Sequence, residues 1–447
     1  MKHILIVISI LSFSLGNSQD IPNAFSLQEA IDYALQNNRQ AKNALRDIEA
    51  AKKQKWETTT IGLPQLNATV NYQNFLKQQV SLVPAEFFGG EPGEFAEVIF
   101  GTQQNVNATA TLSQLLFDGS YLVGLQSAKV FLEISKNAKE KTDLEVRKGI
   151  INAYGNVLLA KESVLIYEKN ITVLQKNLDE VTKIYENGLE EEESVEQLQI
   201  TLSNLQSSLN NAKRLRDIAY QMLNVALGID YNSAITLTDD LESLAENNIS
   251  LEALTQANDV TSTIDYKIAE NDKVSKELLL KLEKSKALPQ LSAFLNGGYL
   301  GFSNEFTFLD REQDWAGFSS FGFNLNLPIF SSGGRSAATQ RAKINLEKSI
   351  DQLTETEQRL LLEIETAKSN YKFATEDYYN KKQNLSLAER IEQKNQTKFF
   401  EGIASSFELR QAQTQLYSAQ QELLQTMLNV INSKAELETI TNTTSNF

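Results

Sequence analysis

The sequence predicts an α+β chain in which long antiparallel coiled-coil helices alternate with β-hairpins, and three observations lead there. A Leu-Pro-Gln-Leu tetrapeptide occurs twice, at Leu63–Leu66 and Leu288–Leu291, each time where a helical pattern ends and an alternating one begins. After each copy the apolar period changes to two, which gives a strand one apolar and one polar face. Beyond each hairpin, apolar residues return at heptad spacing for much longer than an ordinary helix runs. The chain is therefore two copies of one unit, 19–228 and 249–447, separated by a mixed segment, 229–248, read as a surface element outside the helical layer.

In the first copy, Ser26 with Glu29 three residues on has the form of a capping box, and opens a helix continued by Ala30, Ala34, Ala41, Ala44, Ile48 and Ala51. A hairpin over 65–117 follows. Leu66, Ala68, Val70 and Tyr72 alternate with Asn67, Thr69, Asn71 and Gln73, and Val106, Ala108, Ala110 and Leu112 alternate with Asn107, Thr109, Thr111 and Ser113. Pro84 to Gly93 between them reads as an exposed loop. A long helix over 121–187 carries Ile150, Val157, Val164, Ile171, Leu178 and Tyr185, each followed at three residues by Ala153, Ala160, Tyr167, Leu174 or Val181 as far as the series runs. At 1.5 Å per residue such a helix is about 100 Å long. A glycine break at Gly188 leads to a returning helix over 192–227.

The second copy repeats this plan with a helix, a hairpin over 290–330, a long helix over 335–400, a break at Gly402, a returning helix over 405–439 and a C-terminal tail. Its seam residues are Ile350, Leu353, Leu360, Ile364, Ala367, Tyr371, Ala374 and Tyr378.

Composition narrows the functions available. Residues 1–18 have the form of a signal peptide: Lys2, an apolar run from Ile4 to Leu15, and small residues at Gly16 and Ser18. That run is too short for a convincing membrane span, and no later stretch reaches the roughly 20 apolar residues a spanning helix needs, so any passage through a membrane is made by strands. Loss of Lys2 from 42 basic residues leaves 41 against 57 acidic ones, a formal charge of −16, which speaks against a nucleic-acid partner. His3 is the only histidine and cysteine is absent. The mature chain thus lacks thiol nucleophiles, histidine bases and imidazole or thiolate metal sites, and no cofactor, metal or catalytic residue is expected.

Several signals have two readings. Alternating strands suit a soluble sheet lying on a core. They also suit a barrel, since four strands cannot close alone but three copies would give twelve, apolar towards lipid and Asn/Thr/Ser-lined inside. Phe87, Phe88, Phe95, Phe306, Phe308 and Trp315 near the strand ends are either interface aromatics or buried loop anchors. Heptads suit a simple coiled-coil dimer or a ring of helices continuing the barrel. Glu190, Glu191, Glu192 and Glu193 either favour a helix N-terminus through its dipole or stack as acidic rings at a channel mouth.

The order of these elements resembles the TolC-like outer-membrane efflux proteins over essentially the whole mature chain. The matching pieces are Phe25-Ser26-Leu27-Gln28-Glu29-Ala30 with Tyr33-Ala34-Leu35 and Asn38, both Leu-Pro-Gln-Leu entries, and Leu327-Pro328-Ile329-Phe330 followed by Gly333-Gly334-Arg335. Tyr185-Glu186-Asn187-Gly188 and Phe399-Phe400-Glu401-Gly402 match as well, each before a helix carrying Leu198-Gln199 or Ala412-Gln413. The resemblance implies a homotrimer in the Gram-negative outer membrane. Coiled coils would form an α-barrel in the periplasm, and each chain would give four strands to a trimeric 12-stranded transmembrane β-barrel in contact with outer-membrane lipid. It implies a passive channel of a tripartite efflux or type I secretion system, with a periplasmic adaptor (membrane fusion) protein and an inner-membrane pump of RND or ABC type as partners. The adaptor would meet the tips at Asn187, Gly188, Leu189, Glu401, Gly402, Ile403 and Ala404. The mouth would involve Glu190, Glu191, Glu192, Glu193, Ser194, Phe399, Glu408 and Gln411. The family closes its mouth with tyrosine, arginine and aspartate links. Here the matching positions carry Phe399, Ala404, Glu408 and Gln411, so the tyrosine and arginine links are missing. The competing reading is a non-channel periplasmic coiled-coil protein, structural or adaptor-like. A hydrolase would need a compact pocket-forming domain that the pattern does not contain.

Overall fold

The computed structural model describes residues 24–250, 252–255 and 259–443; the expected signal peptide and the end of the C-terminal tail lie outside them. In chain order the elements are β1 (Ala24–Phe25), α1 (Leu27–Asn37), α2 (Arg39–Thr60), β2 (Gln65–Asn74), β3 (Val80–Pro84), β4 (Phe95–Ile99), β5 (Gln104–Asp118), α3 (Gly119–Glu186), α4 (Glu192–Leu227), β6 (Thr236–Leu237), α5 (Leu241–Asn247), α6 (Ile264–Ser285), β7 (Gln290–Ser303), β8 (Trp315–Asn326), α7 (Gly334–Phe400) and α8 (Ser406–Thr441). No described helix is long and apolar enough to cross a membrane. The chain divides into two compact units.

The first unit takes the chain up to Asp47, Lys136–Ala269, and from Thr354 onward. Its entry is fixed locally: the Ser26 hydroxyl accepts from the Glu29 amide while the Glu29 carboxylate accepts from the Ser26 amide at 2.8 Å, satisfying two donors that a helix start leaves open. Leu27, Ala30, Ile31 and Ala34 then share one face and are buried. The heptad residues Ile150, Val157 and Val164 of α3 and Leu360, Ile364, Ala367, Tyr371, Ala374 and Tyr378 of α7 are buried too, whereas Ile350, which the heptad pattern placed in the seam, is exposed in the second unit. Each buried Leu, Ile or Val contributes about 1.5–3 kcal/mol.

Segment 229–248 was expected on the surface, yet Ile229, Ile235, Leu237, Leu241 and Leu244 belong to the main core. β6 in this segment pairs parallel with β1, and three buried tyrosines tie the rest to the long helices. The Tyr154 hydroxyl lies 2.9 Å from both the Phe25 carbonyl and the Asp239 carboxylate, which in turn accepts from the Leu27 amide at 2.7 Å. Tyr371 donates to the Asn248 carbonyl and accepts from the Ser250 amide, both at 2.7 Å. Tyr378 lies 3.2 Å from the Glu246 carboxylate. Beside them is a buried charged group: Arg147 Nη2 is 3.2 Å from Glu438, and Lys434 Nζ is 3.7 Å from Glu438 and donates to Asn248 Oδ1 at 2.9 Å. Burial pushes the Lys434 ammonium below its usual range and Glu438 opposes that shift.

The second unit, Ile48–Ser135 and Glu270–Leu353, holds an antiparallel sheet in the order β2-β5-β7-β8. Both tetrapeptide glutamines open strands, Gln65 in β2 and Gln290 in β7. β2 and β8 are the outer strands of this sheet. The predicted loop Pro84–Gly93 is instead the end of an extra hairpin, β3 against β4, with a helical turn over Ala85–Phe88. At the β8 exit the Arg335 guanidinium donates to the Pro328 and Ile329 carbonyls at 2.6 and 3.2 Å, fixing the turn into α7.

Replacing Tyr371 by Phe leaves the Ser250 amide and Asn248 carbonyl without this partner. The expected loss is about 1–3 kcal/mol of stability with the fold retained, read as a lower denaturant midpoint; an unchanged midpoint would show the tyrosine link to be idle.

Candidate functional site

The sheet registers sort its residues into rows that cross all four strands. Thr69, Thr109, Gly298 and Phe318 make one row, and Asn67, Thr111, Asn296 and Ser320 another on the same face. The opposite face carries Leu66, Leu112, Leu295 and Phe321, then Val70, Ala108, Tyr299 and Gly317. One face is therefore mostly amides and hydroxyls, and the other is mostly apolar. Leu66, Val70, Leu295, Tyr299, Phe321 and Phe323 are all exposed in the single chain. An apolar face this large on an uncovered sheet marks a surface meant for a partner or for lipid. Phe306 and Phe308 from the β7–β8 loop fold back onto this face and meet Tyr72 edge-on at centroid distances of 5.7 and 6.0 Å, with Trp315 6.3 Å from Phe308. These rings anchor the loop, whereas Phe87, Phe88 and Phe95 stay exposed.

In the first unit the two helix breaks are built alike. Gly188 and Gly402 have φ of +76° and +71°, which a side chain resists and glycine adopts freely. The Gly188 and Leu189 amides bond back to Tyr185 and Ile184, and the Gly402 and Ile403 amides to Phe399 and Lys398, the same two-bond cap both times. The residue after each glycine commonly packs back on its helix in such caps. Here Leu189 is 79% and Ile403 71% exposed, so each tip presents an apolar side chain outward. Asn187 and Glu401 are exposed beside them, and Ala404 is half-buried.

Of the mouth residues, Ser194 and Phe399 are buried. The Ser194 hydroxyl is 2.7 Å from that of Ser406, joining the starts of α4 and α8, and Phe399 packs with Leu174, Leu178, Val181 and Leu409. Glu408 is engaged locally: its carboxylate accepts from the Ser405 amide at 2.8 Å and hydroxyl at 3.1 Å, bonds that hold it below the usual carboxylate range. Glu191, Glu192, Glu193 and Gln411 are exposed and Glu190 is half-buried. Glu192 and Glu193 lie in the first turn of α4, where the helix dipole favours acids, and Glu193 accepts from Gln197 at 2.7 Å. Among the described residues, none of Glu190, Glu191, Glu192 and Glu193 is in an ion pair with a cation. Among the described residues no hydrogen bond or ion pair joins them to Glu408 or Gln411.

Behind the tips runs a polar seam. Ser163, Asn170 and Asn177 recur every seven residues on α3 and meet Gln421 at 3.4 Å, Gln420 at 2.8 Å and Gln396 at 3.3 Å. Of the eleven buried side-chain polar atoms that lack a partner among the described residues, five lie here: Asn177 Nδ2, Gln421 Nε2, Tyr417 Oη and both amide atoms of Gln413. Gln413 is only 1% exposed. Burial raises the Glu392 carboxyl above its usual range; the Gln413 amide beside it opposes the shift without a good hydrogen bond. Burial, and then Glu392, push the Tyr417 phenol up. Each unsatisfied buried group costs about 1–3 kcal/mol, so this stretch holds together less firmly than the apolar core beside it.

Compared with known proteins, the chain matches the family model "Outer membrane efflux protein" over residues 30–229 and 279–443, most of its length. The chain belongs to the outer membrane efflux protein family. No curated protein sequence matches it. Among solved structures it is similar to the outer membrane protein VceC of Vibrio cholerae, at 17% identity and TM-score 0.71, over 93% of this chain and 95% of that one. The CmeC outer membrane channel of Campylobacter jejuni gives 18% and 0.71 over 93% and 85%. The open state of the MtrE outer membrane channel of Neisseria gonorrhoeae gives 17% and 0.72 over 93% and 88%. At such identities the likeness is one of fold: coiled coils that build a helical barrel joined to strands of a β-barrel in trimeric channels. An outer membrane efflux protein is a Gram-negative outer-membrane channel reaching into the periplasm, which sets aside the reading as a non-channel coiled-coil protein.

Within this outer membrane efflux protein, the polar seam escaped the sequence reading although its heptad spacing was visible in Ser163, Asn170 and Asn177. The serine pair Ser194–Ser406 had no signal at all.

Gln413→Leu removes two unsatisfied amide atoms and should raise the denaturant midpoint, with a gain of about 1–2 kcal/mol. A raised Glu392 pKa means that ionisation is disfavoured in the folded chain. Stability from this group is full at pH below its ordinary value and is lost as pH rises through the folded value. Glu392→Gln should abolish that pH dependence, and a profile unchanged by the substitution would contradict the assignment.

Proposed function

We propose that three copies of this chain form a passive export duct, and that it works with a periplasmic adaptor and an inner-membrane pump as a tripartite efflux or type I secretion channel. The observation that carries this reading is the four-stranded sheet with one hydrogen-bonding face and one exposed apolar face. In hydrocarbon every backbone donor and acceptor needs a partner, so β2 of one copy would pair with β8 of the next until twelve strands close. The apolar face then meets lipid and the Asn/Thr face meets water.

The helical unit supports the same stoichiometry. Leu215, Ile218, Met222 and Val225 on α4 stand at a and d spacing and are all half or more exposed. A heptad stripe left bare within one chain is a seam for a neighbouring chain. The duct supplies no energy itself; the pump and adaptor do.

At the far mouth, Glu190, Glu191, Glu192 and Glu193 form acidic rings that favour cations, and the paired tips with Leu189 and Ile403 outward receive the adaptor's helices. Glu408 serves chiefly as a cap, with Gln411 exposed beside it. Opening separates the helices along the polar seam, where few apolar contacts are lost and water can take up the orphaned amides.

Converting Glu190, Glu191, Glu192 and Glu193 to glutamines should move the reversal potential under a KCl gradient towards the non-selective value in planar bilayers. No movement would remove the acidic mouth from the account. Replacing Ile218 and Met222 by glutamate should convert detergent-extracted trimer into monomer, and persistence of the trimer would rule out the α4 stripe as a subunit seam.

A further inference from the structure

The excursion between β2 and β5 leaves the sheet at the end away from α2 and α3, and its middle is the ribbon of β3 and β4. Among the described residues no other strand pairs with this ribbon, so each of its strands keeps one open edge. Val80, Leu82 and Pro84 stand directly opposite Ile99, Glu97 and Phe95, and all six are exposed on one face. Glu97 is the single charge in that face. Ser81, Val83, Ala96 and Val98 on the other face are half-buried. Between Lys77 and Lys129 the sequence contains no basic residue, whereas Glu86, Glu91, Glu94 and Glu97 all fall in the excursion and are exposed.

A ribbon of two strands is marginal by itself, and a third strand is the usual remedy. The two edges differ. The Ala85 amide donates to the Glu94 carbonyl at 2.8 Å, and donors alternate between the two sides of an antiparallel strand, so those of Phe95, Glu97 and Ile99 point outward. On β3 the outward position nearest the turn is Pro84, which has no N–H. β4 is therefore the better edge. A lipid surface cannot supply the hydrogen bonds that this edge lacks, and a second copy of the ribbon would set acid against acid. We propose that the β4 edge receives an extended segment of another polypeptide with the pattern apolar–x–basic–x–apolar, its basic side chain opposite Glu97 and its apolar ones opposite Phe95 and Ile99. Backbone bonds give this contact its strength, and the alternate side chains give it selectivity. On the reading of a trimeric duct, which fixes only its location, this surface lies outside the cell.

The test follows the fluorescence anisotropy of the labelled peptide Thr-Leu-Thr-Lys-Thr-Leu-Thr against the full-length protein in nanodiscs, with the same peptide carrying Glu for Lys as control. Wild type should bind the lysine peptide saturably and leave the glutamate peptide free. Glu97→Gln should weaken binding about 2- to 5-fold, and Glu97→Lys should reverse the preference between the two peptides. Glu97→Pro removes the outward donor and should abolish binding of both, with the trimer and its conductance unchanged. A thiol placed by Phe95→Cys tests other covers: a disulfide between chains, or quenching of an attached fluorophore by spin-labelled lipid, would overturn the site. So would a conducting wild-type trimer that binds neither peptide, or lysine-peptide binding that Glu97→Lys leaves unaltered. A protein that binds the peptide but forms no trimer would instead overturn the duct and leave the edge site standing.

Discussion

The backbone at the two outer strands of one small sheet constrains the rest of this molecule. β2 and β8 each have one side that no strand of the main sheet covers, and most apolar side chains between them are exposed, with only the Phe306 and Phe308 loop folded over one end. In water such a sheet would recruit other sheets edge to edge. In a bilayer the open edges cost several kcal/mol for every unmet donor or acceptor, so the sheet is stable there only as part of a closed wall. Closure with copies of itself answers both demands, and it also puts Asn67, Thr69, Thr109 and Thr111 around a bore filled with water.

The helical unit is tied firmly through its apolar core and less firmly through one polar stretch. Rigidity comes from the buried apolar seam and from Tyr154, Tyr371 and Tyr378, which tie segment 229–248 to the long helices by hydrogen bonds that an apolar residue could not make. The less firmly tied stretch is the polar seam. Asn177, Gln413 and Gln421 each leave buried amide atoms without a partner, groups that water would satisfy if exposed. Beside it, Leu174, Leu178, Val181 and Phe399 form an apolar core near the tips.

Much of this was legible in the sequence because the two periods are exact consequences of backbone geometry. A period of two places Leu66, Val70 and Tyr72 on one face whatever the partner, and a heptad places Ile150, Val157 and Val164 on one stripe. What escaped notice depends on tertiary partners. Segment 229–248 has no period because its residues reach the core from short irregular elements, and Pro84–Gly93 hid the hairpin whose strands flank it. Glu408 reads as a mouth acid from its position, yet Ser405 three residues earlier engages it as a cap. The orphaned amides of Gln413 could not be foreseen, since burial without a partner is a property of three helices together. Phe294 and Phe318 broke the alternation of the second hairpin, and the reason is visible only when the register sets each against a glycine.

The central claim, that one face of this sheet is wet and the other lies against lipid, is open to direct measurement because the chain has no cysteine of its own. Thr109→Cys and Ala108→Cys place single thiols on adjacent residues of β5, one on each face. In membrane-embedded trimers a small water-soluble thiol reagent should react readily at position 109 and lower the conductance, while position 108 stays unreactive and a fluorophore attached there before reconstitution is quenched by spin-labelled lipid. Equal reactivity at both positions, or quenching at 109 in place of 108, would contradict the account.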